Sequence, residues 1–393
     1  MKYAPPPEEH PPLRVASLFS GIGGFEVGLH RAGHQTVLMC ESDPFAQEVL
    51  RDRFPGIELH PDVTRLKNLP DCDVVTAGWP CQDISLAGST AGLSGKRSSL
   101  IEDVFRLLEC TARKPKFVLL ENVAFAVELK KAEAVRFVTM RFEQLGYNWA
   151  YRILDTRLFG LPQRRRRLYV LASLVGDPSD ILFDGVSAPK LEPNSDAKQV
   201  GFYWTEGNRG TGWSPDAIPP LKGGSSVGIP SPPAVWDRDN GNFYQPGIED
   251  AERLQGFMPG WTGAAASLPK GERKRWMLVG NAVSVPVVEW IGKKLTAATA
   301  QRTEDGDPEE VSREFTKAGK KIQGEQRQFF DPTREGPSDS LVVTLSDFGF
   351  KASKAVSRRA LAGFTSRLEV APLRKNPDFL RDLRIALQAE EPG

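Results

Sequence analysis

The sequence predicts an α/β fold: a mostly parallel, Rossmann-like sheet followed by a smaller loop-rich domain. Three observations predict it. Short apolar runs alternate with helical periodicity from residue 13 to 172. A glycine cluster follows the first run directly. After residue 173 the chain becomes dense in Gly, Pro, Ser and Asp, and helical periodicity fades. Such alternation builds stacked βαβ units, while Gly and Pro punctuation marks loops.

The elements follow in order. Residues 15–19 form the first apolar run, ending in Gly21, Gly23 and Gly24, and residues 37–41 the second, ending in an acid. Residues 44–54 read as a helix and 57–63 as a weaker strand. The runs 73–77 and 117–121 read as buried strands. Between them Leu100, Ile101, Val104, Leu107 and Leu108 recur at helical spacing. A helix near 132–145 and strands near 151–154 and 168–172 complete the core. Helical patterning returns at 248–255 and 285–297, then near 353–367 and 378–388. The expected division is an N-terminal arm (1–12), a core (13–173), a loop-rich domain (174–250), a return to the core (251–299), a polar linker (300–340) and a helical C-terminal extension (341–393).

Composition narrows the classes. The chain has 393 residues, 26% charged and 40% hydrophobic, which suits a globular protein of two or three domains. No stretch approaches the roughly 18 apolar residues of a membrane helix. Residues 1–12 lack the basic start and apolar run of a signal peptide, so a cytoplasmic location is expected. The net charge of +1 does not announce a nucleic-acid binder, although basic residues can concentrate in one cleft. Cys40, Cys72, Cys81 and Cys110 show no C-x-x-C pairing and there are four histidines. A metal site is not expected; a lone cysteine used for its chemistry remains open.

Five segments carry chemistry. Residues 19–24, Phe-Ser-Gly-Ile-Gly-Gly, form a turn in which glycine lets backbone approach a ligand, though a purely structural turn reads the same. Glu41 lies twenty residues beyond Gly21 and can accept hydrogen bonds from a ribose diol; Asp62 ends the third strand and can reach an adenine amino group. Residues 78–85, Gly-Trp-Pro-Cys-Gln-Asp-Ile-Ser, put Cys81 just past a buried strand. Glu121-Asn122-Val123 ends the next buried strand with an acid suited to proton work. Residues 163–167, Gln-Arg-Arg-Arg-Arg, and 280–286, Gly-Asn-Ala-Val-Ser-Val-Pro, follow.

Taken in this order and spacing, together with Arg-Leu-Gln-Gly-Phe-Met-Pro at 253–259, these segments resemble the S-adenosylmethionine-dependent cytosine-C5 DNA methyltransferases over about residues 13–297. The resemblance implies a Rossmann-like class I methyltransferase core, with residues 174–250 as a target-recognition domain acting on double-stranded DNA. It implies that Cys81 is the nucleophile, that Glu121 holds the target base, and that Arg165 and Arg167 lend positive charge. Phe19, Gly21, Ile22, Gly23, Glu41, Asp62, Val63, Pro80, Asn281 and Val283 would hold S-adenosylmethionine, with no metal. Gln82, Ser85 and Arg97 of a mobile catalytic loop would contact DNA, as would Arg209, Thr211, Lys222, Gly223 and Gly224. The family often has a Thr-Leu pair before this glycine run, where the present chain has Pro220-Leu221. A bacterial or phage setting and a monomer are the associated expectations; three roles stay open, a restriction–modification methylase beside a separately acting endonuclease, a phage-protective methylase and a solitary methylase. An RNA methyltransferase on the same scaffold, a non-catalytic DNA-binding regulator and a nicotinamide oxidoreductase are the alternatives; the last leaves the Cys81, Glu121 and Asn281 segments unexplained.

Overall fold

The computed structural model describes residues 11–79, 100–188, 190, 194–206, 210–223, 232–297, 315–373 and 375–388. They fall into two compact units. The first is built from the described parts of Met1–Asp155, Arg166–Lys190 and Val283–Ser340, the second from those of Thr156–Arg165, Leu191–Ala282 and Leu341–Gly393.

In the first unit the strands are β1 (Arg14–Leu18), β2 (Gln35–Cys40), β3 (Glu58–His60), β4 (Val74–Gly78), β5 (Phe117–Val123), β6 (Asn148–Asp155) and β7 (Arg166–Ser173). The second unit contributes β8 (Gln199–Phe202), β9 (Ser214–Pro215), β10 (Ala234–Asp237) and β11 (Phe243–Gln245). The chain then returns to the first unit for β12 (Ala318–Lys321) and β13 (Gln328–Phe330), and ends in the second with β14 (Lys354–Ala355). Among the described residues the first sheet has nine strands in the order β13-β12-β6-β7-β5-β4-β1-β2-β3. The pairings from β5 to β3 are parallel, and β7 and β12 run against the rest. β4 and β5 are buried almost end to end, as parallel strands covered on both faces must be. Helices α1 (Gly24–Arg31), α2 (Pro44–Arg53), α3 (Leu100–Cys110), α4 (Glu133–Gln144) and α5 (Ser179–Leu182) belong to this unit. Phe105 and Phe142 pack with Val75, Val118 and Val170 of the sheet. β1 has β2 on one side and β4 on the other, so strand order reverses there and the carboxyl ends of β1 and β4 open a crevice.

Part of the expected linker is sheet. β12 pairs antiparallel with β6, and β13 with β12. Their polar composition conceals them because their lysines are matched: Lys320 faces Asp177 and Lys321 faces Glu143. Arg152, fully buried in β6, clamps this region by donating to the carbonyls of Leu182, Asp184, Arg334 and Gly336 at 2.7–2.8 Å. Burial pulls its pKa down to about 10, so it stays charged at neutral pH.

The second unit holds a five-stranded antiparallel sheet, β14-β11-β10-β8-β9, among the described residues. With it are α6 (Ile248–Leu254) and α7 (Gly271–Asn281), and, after α8 (Val285–Ala297) of the first unit, α9 (Leu345–Phe348), α10 (Arg358–Val370) and α11 (Pro377–Gln388). Its core joins Phe202, Trp236 and Phe243 to Leu361, Phe364, Phe379 and Leu383. Phe379 meets Phe202 at 5.1 Å and Trp236 at 5.2 Å between ring centroids, both edge-on, and Trp236 Nε1 donates to Asp382 Oδ2. The expected extension is therefore half of this core, and the chain passes back to the first unit at Val283 rather than at 251. Truncation after residue 340 removes Phe364 and Phe379, each worth about 1.5–3 kcal/mol of burial. The truncated chain is expected to lose the near-ultraviolet signal of Trp236 and Trp213 and to become insoluble. A soluble truncation with an unchanged signal would contradict this packing. Among the described residues no helix is long and apolar enough to cross a membrane.

Candidate active site

The glycine turn after β1 is held by an acid at the end of β2. The Gly21 amide donates to Glu41 Oε2 at 2.7 Å, and the Ser42 and Asp43 amides donate to Oε1 at 2.8 Å each. Burial pushes the Glu41 pKa upward, while these three amides oppose that shift by favouring the carboxylate. Phe19 has φ +55°, a conformation costly for a residue with a side chain and typical of functional turns. Gly21 (φ +55°) and Gly23 (φ +87°) share that region, and a Cβ on Gly23 would stand 2.4 Å from the Phe54 ring. Nothing lies within 4 Å of a Cβ placed on Gly21, so that face of the turn is open. Ile22 and Val63 are buried, and the Val63 carbonyl accepts from Arg106 of α3. Asp62, beyond β3, is anchored by the Thr64 amide and hydroxyl, which hold its pKa down.

Beneath this turn lies an acid whose role the sequence hides. Glu26 is fully buried on α1. Neither carboxyl oxygen makes a well-formed hydrogen bond among the described residues, although its own amide and the Ser17 and Ser20 side chains favour the ionised form. Burial dominates and pushes its pKa up to about 7, with the Glu41 charge adding to the rise. An acid that binds its proton more tightly when folded stabilises the fold below its unfolded pKa, and that stability is lost as pH rises through the folded value. Stability is therefore expected to fall between pH 4.5 and 7 by about 3 kcal/mol. Glu26→Gln should flatten this slope. Thermal melts at pH 5 and pH 8 test it; equal pH dependence in both proteins would refute the assignment.

The acid of β5 is paired across the sheet. Gly78 of β4 and Glu121 of β5 stand side by side in register, and β7 runs antiparallel on the other side of β5. Arg167 Nε lies 3.1 Å from Glu121 Oε1, with both side chains largely buried. Asn122 Nδ2 donates to the Trp79 carbonyl at 3.3 Å, tying the end of β5 to the chain leaving β4. Cys81 and Pro80 come next in the chain; they lie outside the described residues, as do Gln82, Ser85, Arg97, Arg209 and Gly224. Burial pushes the thiols of Cys40 and Cys72 up to about 12 and about 11, which leaves them inert. Among the described residues no cluster of three or more His, Cys, Asp or Glu could hold a metal ion.

Comparison with known proteins decides the family. The sequence model of the C-5 cytosine-specific DNA methylases matches residues 13–204. Over 367 residues the chain is 43% identical to Type II methyltransferase M2.BsuMI of Bacillus subtilis (strain 168), spanning 90% of this chain and 93% of that one. The chain belongs to the C-5 cytosine-specific DNA methylase family. It is also 28% identical over 318 residues to Type II methyltransferase M1.ScrFI of Lactococcus lactis subsp. cremoris, covering 72% and 77% of the two chains. The crystal structure of S. pombe Dnmt2 methyltransferase shares the fold, with a TM-score of 0.56 and 20% identity over 74% of this chain and 100% of that one. The chain is thus an enzyme, a DNA (cytosine-5)-methyltransferase with a Rossmann-like core.

In this methylase three of the marked segments meet inside the second unit. Gln163 Oε1 accepts from the Leu221 amide at 2.9 Å, and its Nε2 donates to the Leu254 carbonyl at 2.8 Å. Arg165, 1% exposed, donates to the carbonyls of Ala282 at 2.7 Å and Leu221 at 3.3 Å. Gln255 Nε2 donates to the Val279 carbonyl at 2.9 Å. A Cβ on Gly280 would stand 2.5 Å from the Lys222 carbonyl carbon, so the root of the glycine run presses on the end of α7. Arg165 therefore braces backbone, and Arg167 is the arginine that meets Glu121. Asn281 ends α7 in the second unit, and Val283 opens the return to the first. Asn281 Oδ1 lies 3.1 Å from a Cβ placed on Gly223. Lys222 is ion-paired with Glu206, its ammonium 3.7 Å from the centre of the Tyr203 ring. Thr211 offers its carbonyl to the Tyr203 amide. Gln255 and Tyr203 escaped assignment from sequence. The available signal for Gln255 was its place in the Arg-Leu-Gln-Gly-Phe-Met-Pro segment, just past the end of α6.

Proposed function

We propose that this chain transfers a methyl group from S-adenosylmethionine to C5 of a cytosine flipped out of double-stranded DNA, as the modification enzyme of a type II restriction–modification system. One observation carries the reading: the Glu41-braced turn after β1 and the Glu121–Arg167 pair on β5 and β7 both border the strand-order reversal at β1 and β4.

The turn suits an adenosyl group. Glu41 is oriented by backbone and can accept from ribose hydroxyls, Asp62 is fixed for an adenine amino group, and Phe19 offers a half-buried ring. Open space beside Gly21 admits the methionine end. Ile22, Gly23, Val63, Pro80, Asn281 and Val283 complete the assignment. When bound, S-adenosylmethionine supplies an electrophilic methyl group carried on positively charged sulfur.

The remaining work belongs to the chain. A cytosine inside a duplex is out of reach, and flipping it costs a few kcal/mol. The Cys81 thiolate adds to C6, which makes C5 nucleophilic. Glu121 hydrogen-bonds N3 and the exocyclic amine, meeting the charge that develops at N3, and Arg167 fixes the carboxylate. After C5 is methylated, a base removes the C5 proton and the sulfur leaves. Gln82, Ser85, Arg97, Arg209, Thr211, Lys222, Gly223 and Gly224 are assigned to DNA. Lys222 must exchange Glu206 for a phosphate to serve there. The enzyme works as a cytoplasmic monomer, beside a separate endonuclease of the same specificity.

The test is base-resolution sequencing of 5-methylcytosine in DNA from a methylation-free bacterial host expressing the chain. Modification of one short sequence context is the expected result. Soluble, donor-binding protein that leaves host DNA unmodified would overturn the reading.

A further inference from the structure

We infer that the strip from Lys351 to Arg359, on the second unit, is a phosphate-binding rail for duplex DNA, outside every segment by which the family is recognised. The inference rests on the reading of duplex DNA as substrate, and it adds a contact surface to that reading.

Four cations stand within nine residues: Lys351, Lys354, Arg358 and Arg359. All four are exposed. Among the described residues none of them makes a salt bridge. Most other described cations of this unit are engaged, with Lys270 and Arg273 at the start of α7 the exposed exceptions. Arg253 is held by Asp250, Arg275 by Glu252 and Glu272, Arg381 by Asp378 and Asp382, and Arg384 by Glu369. Arg367 donates to the carbonyls of Trp204 and Glu206. In a chain of net charge +1, an unneutralised cluster of this density is a local exception.

The backbone under the strip is hydrogen-bonded into the unit, which separates a binding surface from a loose basic tail. The Lys351 and Ala352 amides donate to the two oxygens of buried Asp250 at 2.9 and 2.8 Å. β14 pairs with β11 through Ala355 and Tyr244 and through Lys354 and Gln245. The Val356 amide donates to the Phe243 carbonyl at 3.0 Å. Ser357 caps α10 through the Ala360 amide, placing Arg358 and Arg359 in its first turn. Cations ordinarily favour the opposite end of a helix, so these two sit where they do at a small cost to the helix. An anion at that end would gain from both arginines and the helix terminus. Asp250, which holds the start of the strip, is already met by Arg253 and the two amides. β14 is also the edge of its sheet, and lysine on such an edge discourages pairing with another strand. A polyanion with repeating charge, rather than a peptide strand, is the partner that fits.

The experiment compares the full chain with a Lys354→Ala/Arg358→Ala/Arg359→Ala variant. Binding of a fluorescein-labelled 30-base-pair duplex is followed by anisotropy between 50 and 300 mM salt, without methyl donor. Three lost phosphate contacts should make the slope of log affinity against log salt shallower by about 2.7 and weaken binding about 100-fold at 0.15 M. An unchanged melting temperature and donor affinity, and recovery of binding in a Lys354→Arg/Arg358→Lys/Arg359→Lys variant, would assign the loss to charge. Parallel salt slopes with affinities within threefold would overturn the rail, whatever the turnover. A parent that binds duplex with the steep, strip-dependent slope but transfers no methyl group would unseat the activity reading and leave the rail standing.

Discussion

Replacing Cys81 with alanine is expected to abolish methyl transfer, on the order of 10⁴-fold or more, the scale on which loss of a nucleophile acts. DNA and donor binding should persist. Cytosine C5 is a poor nucleophile until a sulfur has added at C6, so no other group can substitute without a new covalent route. The remaining three cysteines offer none: Cys40 and Cys72 are buried with raised pKa values, and Cys110 is exposed at the end of α3. A free thiol has a pKa near 8.5, so forming the thiolate at pH 7 costs about 2 kcal/mol. Turnover should therefore climb with pH until the thiol is fully ionised, and the variant should be flat. The decisive measurement is single-turnover methylation with tritiated donor, beside trapping of the enzyme on duplex containing 5-fluorocytosine. A covalent adduct in the Cys81→Ala protein would sink the assignment.

The second large effect is expected at the Glu121–Arg167 pair. Glu121→Gln should lower turnover by about 10²–10⁴-fold, the range of a positioned proton-transfer group, with donor affinity unchanged because the turn proposed for the donor is braced by Glu41. The amide keeps the shape of the side chain and removes the charge that answers protonation at N3. Arg167→Lys separates positioning from charge: lysine keeps the cation but loses the planar fork that fixes the carboxylate. It should cost less than Glu121→Gln and should raise KM for DNA less than it lowers kcat. Removing one partner of a largely buried pair also destabilises by leaving a buried charge, so melting temperatures belong beside the kinetics. A drop in stability with kcat intact would reduce Glu121 to a structural acid.

The parallel half of the sheet is legible because β4 and β5 are nearly continuous apolar runs, the mark of strands covered on both faces. β12 and β13 are not, since Lys320 and Lys321 are matched by acids distant in sequence. α7 hides for a related reason: Arg275 is buried, and its bonds to Glu252, Glu272 and Thr262 make that tolerable. α10 and α11 can be read as helices, yet their partners Phe202 and Trp236 lie more than a hundred residues earlier, and no periodicity records such a contact. At the site, the order of segments marks Gly21, Glu41 and Glu121. Glu26 looks like any acid in a first helical turn, and only its burial reveals it. Arg165 and Arg167 are alike in sequence and are told apart by the carbonyls and the carboxylate they reach.

The interleaving of the two units constrains how specificity can be inherited or re-engineered. The second unit is assembled from three separate stretches of chain, one of them a ten-residue visit between β6 and β7. A crossover that transplanted residues 191–282 alone would import Phe202 and Trp236 without Phe364 and Phe379, and would leave Gln163 and Arg165 facing a foreign glycine run. On the proposed reading of this unit as the part that recognises DNA, recognition is therefore not a detachable cassette. Change of target sequence is expected to proceed by substitution in place, or by exchange that carries residues 341–393 together with the segment they pack against.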